Sequence, residues 1–371
     1  MSDFVIVGAG AIGMLTALAL RQRGYAVTLI DRQQAGRESS WAGGGILSPL
    51  YPWRYADPVT ALAQRSQQLY PALVAELLDE TGIDPEHIGS GLLMLDGGQE
   101  DAPLAWAGHV GARLQRVGGE AVHAIQPGLS GINGPAWWMP DVTQVRNPRL
   151  ARALRTAVIA HGVRLIEGTP VERLGVTEGR VAGVSAGGRV IAADAVILAA
   201  GAWSRLLYPD LRDNPPAAPE IQPVRGQMLV LQAPASGIER IVMRDGKYLI
   251  PRRDGRIVVG STVEMVGFEK HTTEEAFREL HAFAVQLAPA LRDAPVEKHW
   301  AGLRPGAPAG IPFIGPVPGV EGLYLHAGHF RNGLVMGPAS TELLIQLIEH
   351  EPTAVDPEAY ALHAERPGGL H

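Results

Sequence analysis

The 371-residue sequence contains no cysteine, and that one absence removes several kinds of chemistry together. Disulfides, thiolate nucleophiles, thiolate zinc sites, iron–sulfur clusters and a cysteine-linked flavin all need a sulfur that this chain lacks. Runs of Lys and Arg are missing too. With a formal charge of -6, the chain has no clustered basic surface for a nucleic acid partner. No apolar run approaches the ~20 residues of a membrane helix. The first strand-like run begins at Phe4 with no charged leader before it. The expectation is therefore a cytoplasmic protein with no membrane span. Among the 12 histidines no HxH or HxxxH pair supplies metal-ligand spacing, so no metal is expected. A serine hydrolase is set aside for want of a serine in a GxSxG elbow between strand and helix.

What is present points to a large folded enzyme. A chain with 46% apolar residues buries a sizeable core, and its length suggests two or three domains. Residues 4–7 form a short apolar run, 8–13 a glycine turn, 12–23 a helical pattern stopped by Gly24, and 26–30 a second strand. The crossover length requires those two strands to run parallel. Further on, residues 59–80 read as an amphipathic helix ending at Gly82. Residues 148–161 read as a helix with Asn147 as its cap and Pro148 at its first position. Strands are expected at 163–167, 171–177, 181–185, 189–191 and 195–198. Others at 228–231, 248–251 and 257–260 suggest an antiparallel sheet with Asp254-Gly255 closing a hairpin. Thr272 and Glu275 have capping-box spacing for a helix reaching residue 287. A strand at 323–326 and a helix at 333–349 close the pattern, and the proline-rich stretch 214–223 reads as a linker.

The turn Gly8-Ala9-Gly10-Ala11-Ile12-Gly13 has GxGxxG spacing, lies between strand and helix, and is followed by Asp31 at the end of the second strand. Gly8 allows the tight turn, Gly10 leaves room for a pyrophosphate, and Gly13 lets helix and strand approach. The helix N-terminus adds positive potential. Asp31 suits ribose hydroxyls and repels a 2′-phosphate, which disfavours NADP. FAD and NAD share this fingerprint, so three further segments bear on the choice. Ser39 to Ile46 offers two hydroxyls and the glycines Gly44 and Gly45 along a path for pyrophosphate and ring. Ala200, Gly201 and Trp203 follow a buried strand end where a nucleotide passes. His329, Phe330, Arg331, Asn332, Gly333 and Leu334 lead through a glycine-bracketed turn into the last helix. The N-terminus of that helix suits the negative charge that develops on a reduced flavin pyrimidine.

Taken together, the strings VIVGAGAIGMLTALAL, SSWAGGGILSP, VILAAGAWS, HWAGLRPGAPAGIPFIGP and HAGHFRNGLVMGP resemble the D-amino acid oxidase superfamily of FAD-dependent amine oxidases. They span nearly the whole chain in the family's order and come nearest its glycine-oxidising members, which serve thiamine biosynthesis. The resemblance implies a mixed α/β and α+β architecture. A Rossmann-like FAD-binding domain (1–85, 145–220 and 300–365) is interleaved with an antiparallel-sheet substrate domain (86–144 and 221–299). It also implies non-covalent FAD and oxidative deamination of glycine, sarcosine or small D-amino acids by dioxygen to a 2-oxo acid, ammonia and peroxide. A homo-oligomer is compatible with it. Within the family pattern, Arg304 and Tyr248 pair with the substrate carboxylate, and Arg331 stands beside flavin and substrate. Val171 meets the adenine end through its main chain, Arg32 accompanies Asp31, and Ile46, Ser48 and Val263 line the pocket. Substrate size depends on how loops such as residues 51–55 cap the pocket, which the sequence leaves open. Two alternatives stay open on these residues: a dehydrogenase of the same fold passing electrons to a quinone or dye, and a non-catalytic FAD-binding subunit.

Overall fold

The computed structural model describes residues 2–98, 100–208, 218–367 and 369. Strand Ser2–Val7 lies at the centre of a mostly parallel sheet, between Val27–Ile30 on one side and Arg189–Leu198 on the other. Val27–Ile30 pairs in turn with Arg164–Ile166, and Arg189–Leu198 pairs with Leu323–Ala327, all parallel. Phe313–Pro316 closes that edge antiparallel. Both faces of the central strands are covered, which is why Phe4 to Val7 are all buried and apolar instead of alternating. Helices Ala11–Gln22, Asn147–Ala160, Asp57–Thr81 and Gly333–Ile348 share one core on one face. The hairpin of Val171–Thr177 and Arg180–Ala186 grows from the other.

A second sheet runs in the order Val296–Gly306, Gln222–Gln232, Arg256–Gly260, Lys247–Pro251, Ile241–Arg244, Leu92–Met94, Ala136–Met139, Gln115–Val117. Its pairings are antiparallel except that between Ile241–Arg244 and Leu92–Met94. Side chains alternate with the pleat: Leu229 and Leu231 enter a core under helix Glu274–Leu287, while Met228 faces the opposite side with Tyr248 and Ile250. That second side looks toward the parallel sheet.

Several boundaries differ from those read in the sequence. Thr273, not Thr272, caps the helix at Glu274, accepting from Ala276 N at 3.3 Å. Asn147 is already helical, and its amide instead donates to Ser40 O at 2.9 Å. Residues 189–198 form one strand instead of two, since hairpin and parallel pairing use its two halves in succession. Gln222 and Pro223 belong to a strand and not to a linker, and residues 214–217 lie outside the described residues. Strand Val296–Gly306 runs through the division drawn at residues 299 and 300. Gly183 to Gly187 does have GxSxG spacing, but Ser185 sits in an antiparallel hairpin with no helix following. A nucleophile elbow is therefore excluded by topology, not by the string. Among the described residues no helix is long and apolar enough to cross a membrane, and no cluster of His, Asp or Glu could hold a metal ion.

Candidate active site

A cavity of about 390 Å³ runs between the two sheets, from the Gly8 turn to Arg304. At its first end the backbone is packed so tightly that side chains are excluded. Gly8 has φ 107°, and a Cβ there would lie 2.4 Å from Ala199 O. A Cβ on Gly13 would come within 1.9 Å of Gly8 O, so helix and strand touch only because both positions are glycine. Gly13 itself does not line the cavity, whereas Gly8, Gly10, Ala11 and Ile12 do. Ser40 Oγ accepts from Ala11 N at 2.8 Å, capping the helix from a separate segment.

Asp31 is on the wall beside this turn. Its carboxylate accepts from Ala9 N and Gln33 N, both at 2.8 Å, so it braces the glycine loop from the end of the second strand. Burial pushes its pKa up against those two amides. Arg32 lies over the Trp203 ring at 3.7 Å and pairs with Glu38, which also takes Lys270 at 2.7 Å. Trp203, Val171, Ala200 and Gly201 line the same end.

The middle of the cavity is walled by Ser39 and Gly44 to Ile46 on one side and the start of the last helix on the other. Gly45 has φ 77°, and a Cβ would lie 2.0 Å from Val145 O. The loop is held from behind by Arg252, whose guanidinium donates to Gly44 O at 2.8 Å, Val145 O at 3.0 Å and Gln144 Oε1 at 2.5 Å. Opposite, Phe330 takes the left-handed conformation with φ 46°, and Gly333 and Leu334 open helix Gly333–Ile348 toward the cavity. Asn332 precedes that helix but faces away from the cavity lining. His329 and His326 are buried and meet on Ser340 Oγ at 3.1 and 3.0 Å, and His326 also reaches Thr16 Oγ1 at 3.0 Å. Burial pushes the His329 pKa down to about 3 and holds His326 well below its usual value. Burial thus favours the neutral imidazole over the imidazolium at both positions.

At the far end stand Arg304, Tyr248 and Arg331, with Ile46, Ser48, Leu50 and Met228 around them. Arg304 donates to Ser261 Oγ at 2.6 Å and Thr262 O at 3.1 Å, and no carboxylate among the described residues pairs with it. Burial lowers its pKa to about 10, and the Arg331 charge acts in the same direction, while the Tyr248 hydroxyl opposes both. It stays cationic at neutral pH. By surface exposure the residue is part-buried, and a partly desolvated guanidinium without an anion favours a carboxylate ligand. Arg331 Nη2 donates to Gly246 O at 3.3 Å, in the turn before Tyr248. Of the 51–55 segment, Tyr51 hydrogen-bonds to Asp96, and Gly246 N donates to Tyr51 at 3.3 Å, so loop and turn are latched together. Val263 is half-exposed and off the cavity wall, contrary to the sequence reading, because its strand has ended at Gly260.

Sequence reasoning missed Arg252, Gly226 and Met228. Each acts through tertiary placement, and only the pairing of Gly226 with Gly302 across two strands hints at a shared floor.

A glycine turn on a parallel sheet, opening into a cavity whose far end holds a guanidinium with no carboxylate partner among the described residues, is the arrangement of a dinucleotide-dependent enzyme. Residues 3–347 match the family model described as FAD dependent oxidoreductase. The chain is 49% identical over 358 residues to a glycine oxidase of Pseudomonas aeruginosa, covering 96% of this chain and 97% of that one. It is 33% identical to a bifunctional protein ThiO/ThiG of Trichormus variabilis, over 98% of this chain and 55% of the relative. The crystal structure of glycine oxidase from Geobacillus kaustophilus matches with a TM-score of 0.90 at 28% identity, covering 98% of this chain and 99% of that one. The chain belongs to the FAD-dependent oxidoreductase family, as an FAD-dependent amino acid oxidase similar to the glycine oxidases.

The residues present fit FAD. Gly8 and Gly45 let the turn and the loop pack flush against Ala199 and Val145 beside the cavity, Gly10 lines it without a side chain, and the buried Asn147 Oδ1 on its wall has no partner among the described residues.

Proposed function

We propose that this enzyme oxidises glycine and small amines, among them sarcosine and small D-amino acids, to a 2-oxo acid, ammonia (methylamine from sarcosine) and hydrogen peroxide, in the service of thiamine biosynthesis. The observation that carries it is Arg304: a part-buried guanidinium beside the Tyr248 hydroxyl, with no carboxylate partner among the described residues. Its planar fork suits one carboxylate bidentately, and Tyr248 adds a hydroxyl to the same group. Arg331 contributes a second positive charge beside it.

FAD, when bound, would supply the acceptor for the hydride, one proton with two electrons, that leaves the α-carbon. In this reading Gly8 to Gly13 and Ser40 hold its pyrophosphate, Asp31 its ribose, and Val171 and Trp203 flank its adenine end. Gly44 to Ile46 and Gly333 to Leu334 enclose its ring. The protein's own contribution is placement. Arg304 and Tyr248 fix the carboxylate so that the α-carbon hydrogen points down the cavity, and the apolar Met228 and Leu50 keep water from the amine. No side chain has to take a proton from carbon, in keeping with the low proton affinity that burial imposes on the two histidines of the cavity. The imine is hydrolysed to the 2-oxo acid and ammonia, and dioxygen takes up the electrons as peroxide. The division into residues 1–85, 145–220 and 300–365 for FAD, and 86–144 and 221–299 for substrate, belongs to the same reading.

The experiment is anaerobic bleaching of the FAD-loaded enzyme by glycine, sarcosine and D-alanine, followed by air and peroxide measurement. Bleaching by glycine with one peroxide per turnover supports the reading. Bleaching that only a dye or quinone reverses makes it a dehydrogenase, and no bleaching by any amine leaves only a flavin carrier.

A further inference from the structure

Arg304 lies on strand Val296–Gly306 opposite Val224, and two residues along the partner strand is Gly226, opposite Gly302. Positions two apart share a face of the sheet, so the Arg304 side chain leaves its backbone and lies down over Gly226. A Cβ built on Gly226 would stand 2.2 Å from Nη1, 2.3 Å from Nη2 and 2.4 Å from Cζ. The guanidinium thus rests flat on bare backbone. Beside it, a Cβ on Gly302 would come within 2.5 Å of the Ala42 Cβ, so the paired glycines form one trough. Arg304 occupies one half and the segment bearing Ala42 the other.

Two neighbours fix the fork within this trough. Ser261 Oγ accepts from Nη2 at 2.6 Å and Thr262 O from Nη1 at 3.1 Å. Ser261 is buried, and Thr262 is tied in turn to Glu264 and to Gln227 N. The floor below and the acceptors at the edge together set both the depth and the rotation of the plane.

We propose that Gly226 and Ser261 are positioning residues that set the depth and orientation of Arg304, and thereby the carboxylate affinity of the site. This rests on the reading of Arg304 as the carboxylate clamp. Gly226 is not in the left-handed region, so alanine fits its backbone. The atoms such an alanine meets are the far end of a flexible side chain, which moves while the sheet stays. Gly226→Ala should therefore fold, bind FAD and misplace the guanidinium.

The test uses FAD-loaded enzyme, acetate as a carboxylate without an amine, and glycine turnover. Wild type should bind acetate with a change in the flavin spectrum. Gly226→Ala and Ser261→Ala should weaken acetate binding and raise KM for glycine by roughly tenfold or more, with kcat falling less and FAD content unchanged. Ser261→Thr, which keeps the hydroxyl, should restore most of the affinity. In an Arg304→Ala background, Gly226→Ala should add nothing, because its effect passes through a side chain that is gone. Two results overturn the proposal: unchanged acetate affinity in both single variants, or the same loss from Gly226→Ala with and without Arg304. Failure of wild type to bind acetate or to be bleached by glycine would instead bring down the clamp itself, and the proposal with it.

Discussion

Arg252 Nη2 donates to the carbonyl of Gly44 at 2.8 Å, joining residues 208 positions apart in sequence. The bond ties a glycine loop on the parallel sheet to the end of a strand in the antiparallel one. Because Arg252 is buried and also serves Gln144 and Val145, its three acceptors share a single donor group.

Arg252→Met keeps much of the volume and removes all three bonds. Each buried acceptor left unpaired costs roughly 1–3 kcal/mol, so a loss of about 3 kcal/mol in urea unfolding of the holoenzyme is expected. FAD should also dialyse out faster, since Gly44 and Gly45 lose their rear support. Stability within about 0.5 kcal/mol of wild type, a shift ordinary for surface changes, together with full flavin retention would refute this.

Arg304→Lys preserves the charge but not the planar fork. Losing one of two charge-assisted bonds, about 1.5–3 kcal/mol, predicts KM for glycine up by roughly 10- to 100-fold. The flavin spectrum of the resting enzyme should not change. Steady-state kinetics at neutral pH decide it, and an unchanged KM would show that charge alone suffices.

Glu264 links the substrate strand to pH. Burial works to raise its pKa, but hydrogen bonds from Arg225, Thr262 and Gln227 outweigh it and leave the carboxyl below its usual value. A depressed carboxyl contributes stability that is present above the unfolded value, near ~4.3, and lost as pH falls through the folded one. Glu264→Gln should therefore be less stable than wild type by about 2 kcal/mol at pH 7. The two melting curves should converge below about pH 4. A gap that persists in acid would mean that shape, not charge, is responsible.

Much of the cofactor end was legible in the sequence, for a definable reason. The glycine turn, Asp31, and the segments at Ser39, Ala200 and Gly333 are contiguous strings whose backbone geometry shapes the cavity wall, so local residue choice carries the information. All of the residues singled out from them line one cavity except Gly13 and Asn332, which act behind it. Arg304 and Tyr248 were also visible through resemblance. Arg252, Gly226 and Ser261 were not, because each matters only through what a distant strand lays against it. Boundary errors had local causes. Thr272 and Thr273 have equal claim to the cap by composition, and Asn147 lost the cap because its amide is drawn to Ser40.

Ser340 Oγ gathers both buried imidazoles and donates to Gly337 O at 2.9 Å. Ser340→Ala leaves those ring nitrogens without a partner, and a loss of about 1–3 kcal/mol is expected, read by thermal or urea unfolding. KM for glycine should stay within about twofold, since a stability effect away from the substrate leaves uniform binding alone. A large KM change with normal stability would place Ser340 in the substrate site instead.

That same junction joins Thr16, near the beginning of the chain, to His326 and Ser340 near its end, and the central strand Ser2–Val7 needs Arg189–Leu198 beside it. A chain still emerging from the ribosome therefore holds a glycine turn with no wall opposite it until some 340 residues have been made. Flavin capture is thus expected late in synthesis. Pulse-labelled nascent chains should resist protease through added FAD only once the last helix has been released.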